Sequence, residues 1–185
     1  MSKKVCPTFS EIDVSTKTII GVSNVGVNIE EIFKHLPTKT YYVVKKKRGR
    51  RKKDCQQTNP NHLNEGDIIS LKYRDNIKGA NLKKKSHKNK FFRNALTVVM
   101  YVAGKFINFK LSQNGKFQIT GPKKTGHAMS CIKIFWDLVK GVDNLYTFKN
   151  DKDKVFRVSF LTVMTNIDFN IGFNVDREKL DTYIN

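Results

Sequence analysis

The sequence predicts an α+β fold: one antiparallel sheet with helices packed against it. Three observations predict it. Strand-like segments between Ala95 and Thr120 alternate in polarity and are broken at Ala103-Gly104 and Asn114-Gly115. Asn-Gly between alternating strands is a strong hairpin signal. Thr125 to Gly141 instead repeats apolar residues at helical spacing. A strand-then-helix opening also occurs twice, once near each end of the chain.

Residues 1–14 are read as a flexible N-terminus. Thr18, Ile19, Ile20, Val22, Val25 and Val27 are β-branched and suit a strand. Asn28 can cap the helix that follows, and Glu30 and Glu31 lie in its first turn, where the dipole favours acids. Ile29, Ile32, Phe33 and Leu36 form its apolar stripe, and Pro37 stops it. KKKRGRRKK, from Lys45, cannot build a strand or helix core. It reads as a solvated loop, a role compatible with holding phosphate and similar in pattern to a nuclear-localisation signal.

DIISLK (Asp67 to Lys72) is a strand, followed by a second basic stretch with Lys83, Lys84, Lys85, Lys88, Lys90 and Arg93. ALTVVMYV, FINFKL and KFQIT then form an antiparallel meander that ends at Gly121-Pro122. Alternation places Ile107, Phe109, Leu111, Phe117 and Ile119 on a core face. Phe106, Asn108, Lys110, Lys116, Gln118 and Thr120 fall on the other, open to water or a ligand. In the helix from Thr125, Ala128, Cys131, Ile132, Phe135, Leu138 and Val139 make the stripe, and Gly141 stands where a C-cap belongs. Cys131 is thus core, and Trp136 beside the stripe is packing. Val155 to Phe169 returns to strand, and Asp176 can cap a last helix carrying Leu180, Tyr183 and Ile184.

Charge narrows the partners. Against 35 Lys and Arg stand 16 Asp and Glu, a net +19 over 185 residues. A compact body with that charge repels itself, and a polyanion relieves the repulsion. No stretch resembles a membrane span of about 20 apolar residues, and Met1 to Ser10 lacks a signal peptide's apolar core. An intracellular protein without membrane attachment is expected. Cys6, Cys55 and Cys131 are odd in number and scattered, which suits free thiols rather than a disulfide framework. Cys55 and His62 have no second pair to complete a zinc site, so neither metal nor cofactor is expected.

Enzyme motifs fail at defined positions. Gly121 to Gly126 has P-loop spacing, but His127-Ala128 stands where Lys-Ser/Thr is required. It reads better as a turn and helix start that, with Lys123 and Lys124, could hold one phosphate. His35, His62, His87 and His127 lie far apart without a carboxylate pattern, and no G-x-S-x-G or H-E-x-x-H occurs. The expectation is a binding protein without catalysis.

SNVGVNI (Ser23 to Ile29) and TNIDFNI (Thr165 to Ile171) match in kind at six of seven positions, at an offset of 166 − 24 = 142. A second register pairs Asn24–Glu30 with Asn170–Asp176, at 170 − 24 = 146. Either one suggests a duplicated unit. The second copy ends after its helix.

Strand, helix, antiparallel strands, long helix and a repeated opening is an order that resembles the TATA-binding protein family. NGKFQITGPK, from Asn114, resembles that family's S-G-K-x-V-x-T-G-A-K hairpin, and HLPTKTYY (His35 to Tyr42) its loop after the first helix. FRNALTVVMYV and VMTNIDFNIGFNVDREKL look more like TATA-binding-like proteins of large DNA viruses. The likeness covers about residues 15–185 without the basic insertions. It implies a curved, saddle-type sheet with helices on the convex face and DNA in the concave one. Residues 15–150 would be the first repeat, with basic insertions near 45–64 and 78–93, and 151–185 the opening of an incomplete second. By the same resemblance, Lys116 contacts phosphate, Gln118 and Thr120 face the groove, and Asn24 and Asn166 are the symmetry-related central Asn pair. Asn suits the minor-groove acceptors of A·T pairs.

The chain departs from the family where a Val is expected and Gln118 stands. The wedging Phe positions fall nearest Ala95 and Leu111. Thr97, Val99, Tyr101, Asn108 and Lys110 make the groove-facing surface more polar. Phosphate contacts are expected from the basic arms, through Lys45, Lys46, Lys47, Arg48, Arg50, Arg51, Lys83, Lys84 and Lys85, besides Lys123 and Lys124. Three readings follow. The first is an A·T-preferring duplex DNA binder in transcription initiation, working in a viral factory, virion or nucleus with RNA polymerase or other initiation factors. The second is a general binder of RNA or single strands, stacking bases on Tyr101 and Phe106. The third is a docking module of a viral transcription complex. The incomplete second repeat also allows self-association.

Overall fold

The computed structural model describes residues 12–42, 62–82, 94–150, 154–168 and 174–184. Lys45, Lys46, Lys47, Arg48, Arg50, Arg51, Lys83, Lys84 and Lys85 lie outside the described residues, as do Cys6 and Cys55.

Strand β1 (Val14–Ser23) leads through β2 (Val25–Val27) into helix α1 (Ile29–His35). Asn28 caps α1 as expected: its Oδ1 accepts the Glu31 N–H at 3.3 Å. Seven residues are too few for a helix to persist alone. α1 is held by burial of Ile29 and Ile32 and by a cation from the next unit. That unit is the hairpin of β3 (Ile68–Tyr73) and β4 (Asn76–Gly79). Lys78 Nζ donates to the carbonyls of Lys34 at 3.0 Å, Leu36 at 2.7 Å and Phe33 at 3.5 Å. These are carbonyls at the helix end with few partners of their own, and a cation there also meets the favourable end of the helix dipole. Lys78→Met is therefore expected to cost about 1–2 kcal/mol. A thermal melt should show a drop of roughly 2–8 °C, and an unchanged midpoint would contradict this capping role.

β5 (Ala95–Val102), β6 (Lys105–Ser112) and β7 (Lys116–Thr120) form the predicted meander. Ala103 and Gly104 both have positive φ, +51° and +74°, the two-residue hairpin turn that matches strand twist. The second turn is a three-residue connection. The Gly115 N–H reaches the Ser112 carbonyl at 2.9 Å, and Gly115 alone takes a positive φ, +73°. Helix α2 (Thr125–Val139), β8 (Tyr146–Phe148), β9 (Val158–Ile167) and α3 (Arg177–Ile184) complete the order.

Seven strands make one fully antiparallel sheet in the order β4-β3-β5-β6-β7-β1-β9. A two-stranded ribbon of β2 and β8 stands apart. The core lies on one face of the large sheet. Ile19, Leu71, Leu96, Val98, Met100, Ile107, Phe109, Leu111, Phe117 and Ile119 join Ile29 and Ile32 of α1 and Cys131, Ile132 and Phe135 of α2 in one buried cluster. The Phe135 ring sits edge-on to Phe109, centroids 5.2 Å apart, and to Phe117 at 6.1 Å. Cys131 is core, as the sequence implied. Burial pushes its thiol up to about 12, so it stays protonated and unreactive near neutral pH. Trp136 is packing too: it stacks on Phe156 at 4.0 Å and meets Tyr146 edge-on.

Several expectations need correction. Gly141 is not a left-handed cap. α2 ends at Val139, Lys140 caps it in right-handed geometry (φ −59°), and Gly141 is absent from the positive-φ glycines. β4 occupies Asn76–Gly79, where the basic insertion was expected to begin. The last strand starts at Val158, not Val155. Asp176 does cap α3, accepting the Lys179 N–H at 3.2 Å, but α3 buries none of its residues. β9 matches β1 in length, ten residues each, and lies antiparallel beside it.

Candidate nucleic-acid interface

Residues directly opposite in an antiparallel ladder place their side chains on the same face. The pairing therefore traces rows across the sheet face that α1 and α2 leave bare. One row runs Ser70, Val99, Asn108, Thr120, Thr18, Met164. The next runs Lys72, Thr97, Lys110, Gln118, Ile20, Leu161. A third links Lys116, Val22 and Ser159. One step beyond the first row, at the same end of the strands, Tyr101 pairs with Phe106 and Thr16 with Asn166. Thr97, Tyr101, Asn108, Lys110, Lys116, Gln118, Thr120 and Asn166 are thus brought to one surface. None is buried.

Val99 shares that face but is only 7% exposed, and Ser70 beside it is fully buried. Val99 is therefore floor rather than contact surface, which corrects its sequence assignment. Chain leaving α1 reaches this region: Tyr41 packs edge-on against Phe106 at 5.3 Å, and Phe106 against Tyr101 at 5.7 Å. Lys123 and Lys124 are exposed at the entrance to α2, beyond the end of β7 rather than within the rows.

Asn24 follows β1 and has a structural commitment. Its Nδ2 donates to the Val155 carbonyl at 2.8 Å, and its Oδ1 accepts the Arg157 N–H at 2.9 Å. It thereby fixes the segment that enters β9. Only its second N–H and remaining lone pairs are left for another partner. Asn166 lies at the opposite end of the β1–β9 ladder and is exposed.

Sequence reading missed half of this face. Ile20 lies there with Val22, Leu161 and Met164, the last three 50%, 66% and 51% exposed. They make an apolar strip beside the polar rows, so the face is less polar than the sequence reading made it. β1 carries apolar residues on both of its faces, and only its pairing with β7 tells them apart. Leu111, one of the two positions nearest a wedge, is fully buried on the core side. It cannot reach a groove.

The charged side chains within the strands are all of one sign. The seven strands contain six lysines (Lys17, Lys72, Lys78, Lys105, Lys110 and Lys116) and not one Asp or Glu. Lys72, Lys110 and Lys116 belong to the open face. The strands therefore add positive charge to that surface and, among the described residues, no carboxylate of their own. Hydroxyls, amides and a flat apolar strip between ammonium groups suit a ligand with anionic edges and a less polar middle. No protein-family model matches the sequence, and no curated protein or solved structure matches it either.

Proposed function

We propose that the open face binds duplex DNA and that the protein acts in transcription initiation in the manner of a TATA-binding protein. One observation carries the proposal: a sheet face left uncovered by α1 and α2, to which the described strands bring Lys72, Lys110 and Lys116 but no Asp or Glu. Lysines track phosphates, while Asn108, Gln118, Thr120 and Asn166 supply groups that can read groove acceptors. Ile20, Val22, Leu161 and Met164 suit the floor of a minor groove, where apolar side chains can press between base steps. The finer proposal is a saddle-type repeat. The strand order supports it, because the meander closes on β1 and β9 adds beside β1 in the opposite direction.

A competition shift assay with A·T duplex, G·C duplex and single-strand probes tests the reading. It expects A·T duplex to win, with measurable bending. Lys116→Ala should weaken all duplexes alike, and Asn166→Ala should mainly erode the A·T preference. Asn24→Ala should erode it too, but also cost about 1–2 kcal/mol of stability by freeing the segment before β9. Equal loss on every sequence for both Asn variants would refute their base-reading role.

The Tyr41, Tyr101 and Phe106 cluster at one end of the face favours a second reading, since aromatic rings stack unpaired bases. Tighter binding of single strands without A·T preference in the same assay would select it.

A further inference from the structure

We propose that β9 pairs with the β9 strand of a second copy of this chain, antiparallel and about a twofold axis, joining two seven-stranded sheets into one. The inference is independent of what the open face binds. β9 is the terminal strand: β1 hydrogen-bonds one of its edges, and among the described residues no strand takes the other. Unpaired edges template further strands, and proteins blunt them with short length, charge, proline or a cover. The opposite edge, β4, is blunted: four residues, with Lys78 among them. β9 has ten residues, VSFLTVMTNI, with no charge and no proline. Leu161, Val163 and Met164 on it are each more than half exposed.

The strand is self-complementary in one register. Arg157 precedes it and Asp168 follows it. When two copies align so that Arg157 meets Asp168, an opposite-charge pair forms at each end of the joint. The same alignment sets Ser159 opposite Asn166 and Leu161 opposite Met164. All four belong to the open face, since they pair with Val22, Thr16, Ile20 and Thr18 of β1. The bulge between Met164 and Thr162 makes that match possible. Registers one or two residues away leave at least one of the four opposite the other face or the bulge. The aligned copies would also merge their apolar strips, doubling the strip and placing it on the twofold axis.

The occupant is a second copy rather than an unrelated strand because both the charges and the faces match the strand to itself. Net charge works against it, at +19 per chain. Salt screens that repulsion, so the dimer should strengthen with added salt, whereas nucleic-acid binding weakens.

Sedimentation of the full chain, freed of nucleic acid, tests the proposal over roughly 1–100 µM at moderate salt. A concentration-dependent dimer is expected, with no larger species. Asp168→Arg places like charges opposite at both ends and should raise the dissociation constant about tenfold. Arg157→Asp combined with Asp168→Arg should restore it, and Leu161→Lys should abolish the dimer. Melting curves of each variant separate these effects from unfolding. A monomer at every concentration and salt would overturn the proposal. So would a dimer indifferent to the charge swap and to Leu161→Lys, because its interface would lie elsewhere.

Discussion

Raising salt from 50 to 200 mM should lower affinity for A·T-rich duplex on the order of 10⁴-fold, if about eight phosphates are neutralised. The size of the fall is informative in itself. Lys72, Lys110 and Lys116 alone, with about three contacts, would give a slope near −2.7 and a loss of roughly 40-fold over the same range. A loss near 10⁴-fold requires further cations, and the basic runs at 45–53 and 83–93 with Lys123 and Lys124 are the available source. Fluorescence anisotropy across a salt series reads the slope directly. A slope near zero would remove phosphate from the interface altogether.

Gly115→Ala should destabilise the fold by about 3 kcal/mol or more, lowering the melting midpoint by roughly 6–12 °C. Two costs add. A side chain at φ +73° is strained by about 1 kcal/mol. The new methyl would also run into the Val25 carbonyl oxygen and the Ser23 hydroxyl, where the turn lies against the β1–β2 junction. Backbone cannot yield there cheaply. The Ser23 N–H and hydroxyl both bond the Gly115 carbonyl, at 3.1 and 2.8 Å, and Lys149 Nζ ties the Ser23 and Asn114 carbonyls together. Gly104 is the control. Its φ is +74°, but a methyl there meets nothing within 4 Å, so Gly104→Ala should cost only about 1 kcal/mol. Equal destabilisation by the two variants would show that conformation, not collision, sets the effect.

The contrast shows what the residues alone disclose. Both turns were legible, because Ala103-Gly104 and Asn114-Gly115 interrupt clear alternation. Asn28 and Asp176 were legible as caps, since capping is local chemistry. β4 and the β2–β8 ribbon were not. Strands of three or four residues carry no period of their own, and a partner far along the chain defines them. The apolar strip stayed hidden for the same reason: Thr18, Ile20 and Val22 acquire a face only when β7 and β9 fix their register. Asn24 was given a role only by the family resemblance, and its bonds to Val155 and Arg157 appear only once the fold brings that distant segment to it. Val99 alternates correctly, but alternation alone does not disclose that it is only 7% exposed.

The open face is tested most directly by moving charge on one side of the sheet at a time. Lys110→Glu with Lys116→Glu changes the open face, and Lys133→Glu with Lys140→Glu makes the same change in charge on exposed positions at α2. Dissociation constants for A·T-rich duplex are measured for both pairs at one fixed salt. The open-face pair is expected to lose at least about 100-fold, and the α2 pair only the few-fold that lower net charge brings. Equal losses, or a greater loss from the α2 pair, would contradict DNA binding by this face.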